Sequence, residues 1–422
     1  MTETTNIAAP ANTLRPRQRF NRFAVAAVVA TLPAWSRSFA ESQLGIALTM
    51  FTIVVVLAVA LTIDRSALAP IRARAATVLL YLVTAVAAIV SFVFHISGSG
   101  AILTFTMVAS AAVVLSAGSY SIEDVRWYVA VPLLAMTTIQ AAFVGLQTAT
   151  ETAIGYNLLH PGSALLVTNE TIVRPQGLYH HVYEAAAVAL IAVAVGMALL
   201  PAAGRMRTAF LVAIGAATTT IALTHSRSAL LGLILVVGVA AIASRRADVS
   251  LRIALVVVVL AFAIPALMTA SAWQVRFDES TETDLDDASL GRVTLARQAI
   301  EMAGDHPILG VGPNRYMAVL EAEYMIDEEY PWVVHNQSLM VAAELGIPAA
   351  IAITLLFVWA GVQAVRAGYR PLLLYVAPLP FVVFDVLLYN RPVGLLLFAV
   401  WCGVAGSLWM ARNRQASSPQ PA

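Results

Sequence analysis

Long apolar runs, parted by short polar links, dominate this chain. A bilayer core takes about 20 apolar residues as helix. Runs of that kind lie near 23–40, 44–63, 75–95, 101–118, 127–146, 183–203, 208–225, 228–243, 253–272, 336–365, 372–389 and 393–411. The pattern predicts an all-α, polytopic membrane protein with about twelve transmembrane helices. The run 228–243 is short but carries no charge, and 336–365 is long enough to tilt or to begin outside the lipid. The chain then divides into a tail at 1–22, nine helices over 23–272 with a connection at about 147–182, a large helical extracytoplasmic loop at 273–335, three helices over 336–411, and a tail at 412–422.

Composition supports this reading. The residues are 60% hydrophobic and only 12% charged, and mean hydropathy is +0.81. A soluble fold could not hide that much apolar surface. All 25 basic residues are arginine. With twelve spans, 17 of them fall on the side of the termini and eight on the other. The positive-inside tendency therefore puts both termini in the cytoplasm and both long connections outside. The start, with Arg15, Arg17, Arg19 and Arg22, resembles a signal-peptide n-region. The following segment offers no convincing A-x-A cleavage site and many spans come after it, so it reads as an uncleaved first helix. Cys402 is the single cysteine, which excludes a disulfide framework and a cysteine-based metal site.

The polar residues that break the pattern carry the candidate chemistry. His335-Asn336 ends the large loop. Its imidazole suits a base for a hydroxyl, and Asn336 equally suits a helix N-cap. Arg292 opens an amphipathic stretch with Val293, Ala296 and Ile300 on one face and Arg297 and Glu301 on another. Its planar guanidinium can grip phosphate oxygens in pairs, or lie solvated on the membrane surface. The segment from His306 to Asn314, with Arg315 after it, is a Gly/Pro-rich turn that folds the loop back. It lacks the spacing and lysine of a phosphate loop. Arg174-Pro-Gln-Gly177-Leu-Tyr179-His180-His181 offers a cation, two imidazoles and, with Tyr183, aromatic faces for a sugar, or else an interfacial aromatic belt. Arg227, in the link Thr224-His-Ser-Arg-Ser228, is either a functional cation at the boundary or a snorkelling one. The run Asp278, Glu279, Glu282, Asp284, Asp286, Asp287 holds a D-x-D pair but reads as a solvated segment. Adjacent histidines point apart on a helix, so no metal site is expected.

Taken together, these segments over roughly 160–365 resemble the O-antigen ligase / O-antigen polymerase superfamily of bacterial membrane glycosyltransferases. The pieces that carry the resemblance are Arg174–Gly177, Thr224–Arg227, Gly291-Arg292, His306-Pro307, Gly310–Pro313, His335-Asn336 and Glu344–Gly346, in that order. The resemblance implies a metal-independent enzyme without cofactor in the cytoplasmic (inner) membrane. It would move a glycan from a polyprenyl diphosphate to a hydroxyl on a lipid, glycan or protein, on the outer face. Nucleic acid has no part in it. By the same resemblance, Arg174, Arg227 and Arg292 hold the donor diphosphate and His335 is the base. Tyr179, His181, Asn336 and Arg315 are site-lining candidates from their own chemistry, and His180-His181 departs from the family's pattern. A polymerase of the same superfamily is the alternative within the class, and a secondary transporter the alternative outside it. No Gly/Pro-broken pair of spans repeats in two halves, as many transporters show.

Overall fold

The computed structural model describes residues 15–35, 43–63, 75–155, 165–168, 172–245, 249–278, 284–324 and 333–417. The described chain is helical apart from one antiparallel hairpin, Leu166–Thr168 with Ile172–Arg174. Seven helices are long and apolar enough to cross a membrane: Gly98–Gly118, Ile122–Thr150, Val182–Ala202, Gly204–Thr224, Arg227–Ser244, Val249–Met268 and Ile347–Ala367. Shorter apolar helices cover Val83–Phe94, Tyr369–Phe384 and Pro392–Leu408. The first helix starts at Pro16, so Arg17, Arg19 and Arg22 stand on its opening turns rather than ahead of it.

Burial sorts the helices. Every residue from Glu184 to Leu199 is buried, and the helix packs against Arg207–Thr224, Val131–Thr150 and Tyr369–Val376. Its alanines let neighbouring backbones come close, as small residues do between membrane helices. Val249–Met268 lies at the rim, with Val256, Val259, Leu260, Ile264 and Leu267 exposed. Apolar side chains turned outward on a helix of that length suit lipid.

The polar residues gather at two ends. At one end Arg17 donates to the Leu61 carbonyl (2.6 Å), Arg22 pairs with Asp124 (2.8 Å), and Arg126 donates to the Ala202 carbonyl (2.6 Å). At the other end the two long connections meet, because Arg174 of the first and Arg276 of the second both act on His225.

Two apolar runs are broken. The run 336–365 divides at Gly346 into Gln337–Leu345 and Ile347–Ala367. Gly346 has φ 89 and ψ 166, a conformation open in practice to glycine alone. The run 372–389 becomes Tyr369–Val376, Leu379–Phe384 and Leu387–Asn390. Pro378 and Pro380 lack the N–H groups a continuous helix needs, and Asp385 is extended.

The turn 306–316 docks on the break at Gly346. Val311 N–H donates to the Ala343 carbonyl (2.8 Å), Gly312 N–H to the Glu344 carbonyl (3.0 Å), and Ile347 N–H to the Pro307 carbonyl (2.8 Å). A Cβ on Gly310 would run into the backbone of Glu344, and one on Gly346 into the carbonyl of Ile308. The Ser91 hydroxyl, from another helix, donates to the carbonyls of Leu309 and Glu344.

This crossing generates a stability prediction. Gly346→Ala forces a side chain into a glycine-only conformation, at a cost of about 1–3 kcal/mol before the clash is added. Gly304→Ala is the control: it sits in an exposed helical turn with nothing within 4 Å of the new Cβ. The thermal unfolding midpoint of purified Gly346→Ala should fall by several degrees, and that of Gly304→Ala should hold or rise. Equal midpoints for the two variants would mean that the crossing does not hold the fold.

Candidate functional site

The site is built on the end where the long connections meet. Its largest loop element is the helix Asp284–Asp305. Leu295, Ala299, Met302 and Ala303 form its buried face, against Gln337–Leu345. This corrects the face expected from sequence: Val293 and Ile300 are each 58% exposed. Leucine, methionine and two alanines at this spacing offer a closer fit than the β-branched pair on the far side. Arg292 stands three residues before Leu295, so it continues the packed stripe past its end.

That placement brings Arg292 to His335. The imidazole is half-buried, and burial, with the Arg292 charge added, holds its pKa below the usual histidine value. Asn336 is the N-cap of Gln337–Leu345: its Oδ1 accepts from Leu339 N–H (3.1 Å), and its Nδ2 donates to the Val383 carbonyl (3.3 Å). Asp385 follows two residues after Val383. Burial pushes the Asp385 carboxyl up to about 6, against the opposing pull of Val386 N–H, Arg292 and Arg391.

Arg391 links this group to the first connection. Burial, Arg391, His180 and Arg174 together hold the His181 imidazole down to about 4. His181 stacks on Tyr183 at 5.0 Å, and the Arg174 guanidinium lies 5.2 Å over the same Tyr183 ring. Arg174 also donates to the Thr224 carbonyl (3.3 Å). Next in line is His225, with φ 51 at the end of Arg207–Thr224. Its Nε2 lies 3.1 Å from Thr269 Oγ1, and burial, Arg174 and Arg276 hold it to about 4. Arg227 reaches the Arg276 carbonyl at 3.5 Å.

Two buried glutamines fix the Arg174 segment. Gln147 accepts from the N–H groups of Gln176 and Gly177 and donates to the carbonyls of Gly177 and Ile154. Gln140 accepts from Leu178 N–H and donates to the Gln176 carbonyl. Both stand seven residues apart on one face of Ile122–Thr150. Polar residues on one face of an apolar helix are a signal that sequence reading passed over.

The structure therefore gathers Arg174, Arg227, Arg292, His181 and His335 at one end, and adds Arg276, Arg391, His225 and Asp385. Tyr179 is corrected. It is fully buried with its hydroxyl 3.2 Å from Met136 Sδ, so its ring packs in the core and presents no face to a sugar. Asn336 takes the capping role. Arg315 is half-buried beside Glu344, which the sequence marked only as part of a motif. Glu344 is fully buried. Its carboxylate accepts from Asn314 N–H (2.7 Å), Tyr316 N–H (3.0 Å) and the Tyr389 hydroxyl (2.9 Å). Burial raises its pKa to about 7, and these bonds, with Arg315 N–H, oppose the rise. A cavity of about 200 Å³ opens between Asn314, Tyr316, Val333, Met340, Glu344 and Arg391.

Among the described residues no three His, Cys, Asp or Glu side chains gather as a metal-ligand set. Of the acidic run, residues 279–283 and the side chains of Asp278, Asp284, Asp286 and Asp287 lie outside the described part.

A neutral imidazole among guanidinium groups can take a proton while the cations hold an anion. Residues 210–354 match the model of the O-antigen ligase family. The matched stretch contains Arg227, Arg292, His335 and Glu344, while Arg174, Asp385 and Arg391 lie beyond it. The chain thus combines helices long and apolar enough to cross a membrane with a segment similar to the O-antigen ligase family. No curated protein matches it.

The Arg292–His335 relation is open to direct measurement. Removing the charge in Arg292→Gln should move His335 titration to higher pH, still short of about 6.5 because burial remains. Histidine NMR on purified protein reads this, with His335→Gln assigning the signal. Superimposable titration curves would take Arg292 out of the surroundings of His335.

Proposed function

We propose that this protein transfers a glycan from a polyprenyl diphosphate to a hydroxyl acceptor on the outer face of the cytoplasmic membrane. The observation that carries the reading is His335, half-buried with its pKa lowered by burial and by Arg292, at the edge of a group of arginines. Neutral imidazole takes the proton from the acceptor hydroxyl. The freed oxygen attacks the anomeric carbon from the side away from the diphosphate, and the bond from that carbon to the diphosphate oxygen breaks. Attack from that side inverts the centre. The leaving diphosphate gains negative charge as it departs, and Arg292, Arg174 and Arg227 stabilise it without a metal. Arg391 and Arg276 join the same field. The asymmetry of the arginines supports cytoplasmic termini and an outward-facing site.

The test is transfer and donor binding measured side by side. His335→Ala should bind donor like wild type and lose roughly 10²–10⁴-fold in transfer rate. Arg292→Lys should lose most transfer although the charge remains, because lysine lacks the paired donors. Transfer should survive excess EDTA. His335→Ala with undiminished transfer would defeat the base assignment. Loss in EDTA restored by magnesium would bring the acidic run back as ligands.

A further inference from the structure

Gln337 is the first residue of the helix Gln337–Leu345, two residues after His335, and is 1% exposed. Neither its amide oxygen nor its amide nitrogen has a hydrogen-bond partner among the described residues. A buried amide left unpaired is costly, so a residue of this kind calls for an explanation.

Its position supplies one. Residues 337, 340 and 344 are spaced i, i+3 and i+7, so they share one helix face. Met340 and Glu344 line the cavity of about 200 Å³. Gln337 thus heads the helix face whose next members, Met340 and Glu344, line the cavity, on the turn nearest His335. The carboxylate of Glu344 is already occupied by Asn314, Tyr316 and Tyr389, so it shapes the cavity rather than serving a ligand. Asn314 and Arg391 give the cavity polar edges, and Val333 and Met340 give it apolar sides.

We propose that Gln337 and this cavity seat a single sugar ring beside His335. The proposal rests on the glycosyl-transfer reading above. An amide needs both a donor and an acceptor opposite it. Two neighbouring sugar hydroxyls supply both. A diphosphate offers acceptors alone and would leave the amide oxygen unpaired, and an isoprenoid chain offers neither. The volume falls below the roughly 300–1,000 Å³ of drug-sized pockets, which suits one ring rather than a chain. The ring belongs either to the donor or to the acceptor.

The experiment compares wild type with Gln337→Leu. The probes are a polyprenyl diphosphate bearing one N-acetylhexosamine, bare polyprenyl diphosphate as inhibitor, and an alkyl glucoside as acceptor. The Leu variant should raise the KM for one sugar-bearing substrate on the order of tenfold. A rise for the donor assigns the donor's ring, and a rise for the glucoside assigns the acceptor's. Inhibition by bare polyprenyl diphosphate should stay within about twofold, because the arginines hold it. The unfolding midpoint should hold or rise, since the variant removes an unpaired buried amide. The proposal is overturned if neither KM rises, if the inhibitor weakens as much as the substrate, or if the midpoint falls. A wild type that binds these probes without turnover would defeat the transfer reading alone. The seat would then be decided from binding: the midpoint rise given by each sugar-bearing probe must shrink in the Leu variant for one of them.

Discussion

The backbone crossing between 307–312 and 343–347 is the constraint on which the site depends. A helix that breaks beside a membrane leaves carbonyl and N–H groups without partners, and an apolar surrounding makes that costly. Here the Gly310–Gly312 turn supplies donors to the carbonyls of Ala343 and Glu344, and the Pro307 carbonyl takes the N–H of Ile347. The side chain of Glu344 turns the other way and collects the N–H groups of Asn314 and Tyr316. One residue thereby holds the loop by both its backbone and its carboxylate. Tyr316 passes the restraint on, since its hydroxyl reaches the Leu295 carbonyl (3.4 Å) on the helix that carries Arg292. The relation of Arg292 to His335 is set through this chain.

The two ends of the molecule treat arginine differently. At one end Arg17, Arg22 and Arg126 rest on carbonyls or an acid at 2.6–2.8 Å. At the other, Arg174, Arg276, Arg292 and Arg391 surround histidines and a half-buried Asp385. Like charges brought together repel, and the repulsion is stronger where water is scarce. Their field adds to the burial that depresses three imidazoles and opposes the rise of one carboxyl. Such a field is unfavourable to the empty protein and favourable to a bound anion of two or more charges.

Much of this was legible beforehand because membrane spans are written in composition. The apolar runs at 101–118, 183–203, 208–225, 228–243 and 253–272 correspond closely to observed helices, since hydropathy and the lack of charge leave little alternative. The link Thr224–Ser228 reads as a turn in both sequence and structure. The misses have physical causes. The run 336–365 hides its break because Gly346 is a single small residue whose φ no hydropathy window sees. The face of Asp284–Asp305 went wrong because Val293 and Ile300 are as apolar as Leu295, and packing partners distant in sequence decided between them. Tyr179 looked like a sugar platform because burial cannot be read from a loop motif. Asp385 and Arg391 were not singled out as site residues because one is a lone charge within an apolar run and the other a lone charge between two, and only the fold brings them to Arg292.

The same arginines carry two tasks whose requirements oppose each other, and the donor reconciles them on the proposed reading. In the empty protein burial, with the Arg292 charge added, disfavours a positive charge on His335, which is therefore a weaker base than free imidazole. A diphosphate that settles on Arg292 cancels much of that positive field. The imidazole then becomes more basic at the moment when its proton-accepting power is needed. Lysine could supply the charge but not the paired donors that fix the diphosphate in place. An unburied histidine would already be partly protonated near neutral pH. On that reading, arginine for the anion and burial for the base solve one problem together: a proton acceptor held beside permanent cations, whose basicity would rise as the proposed donor binds.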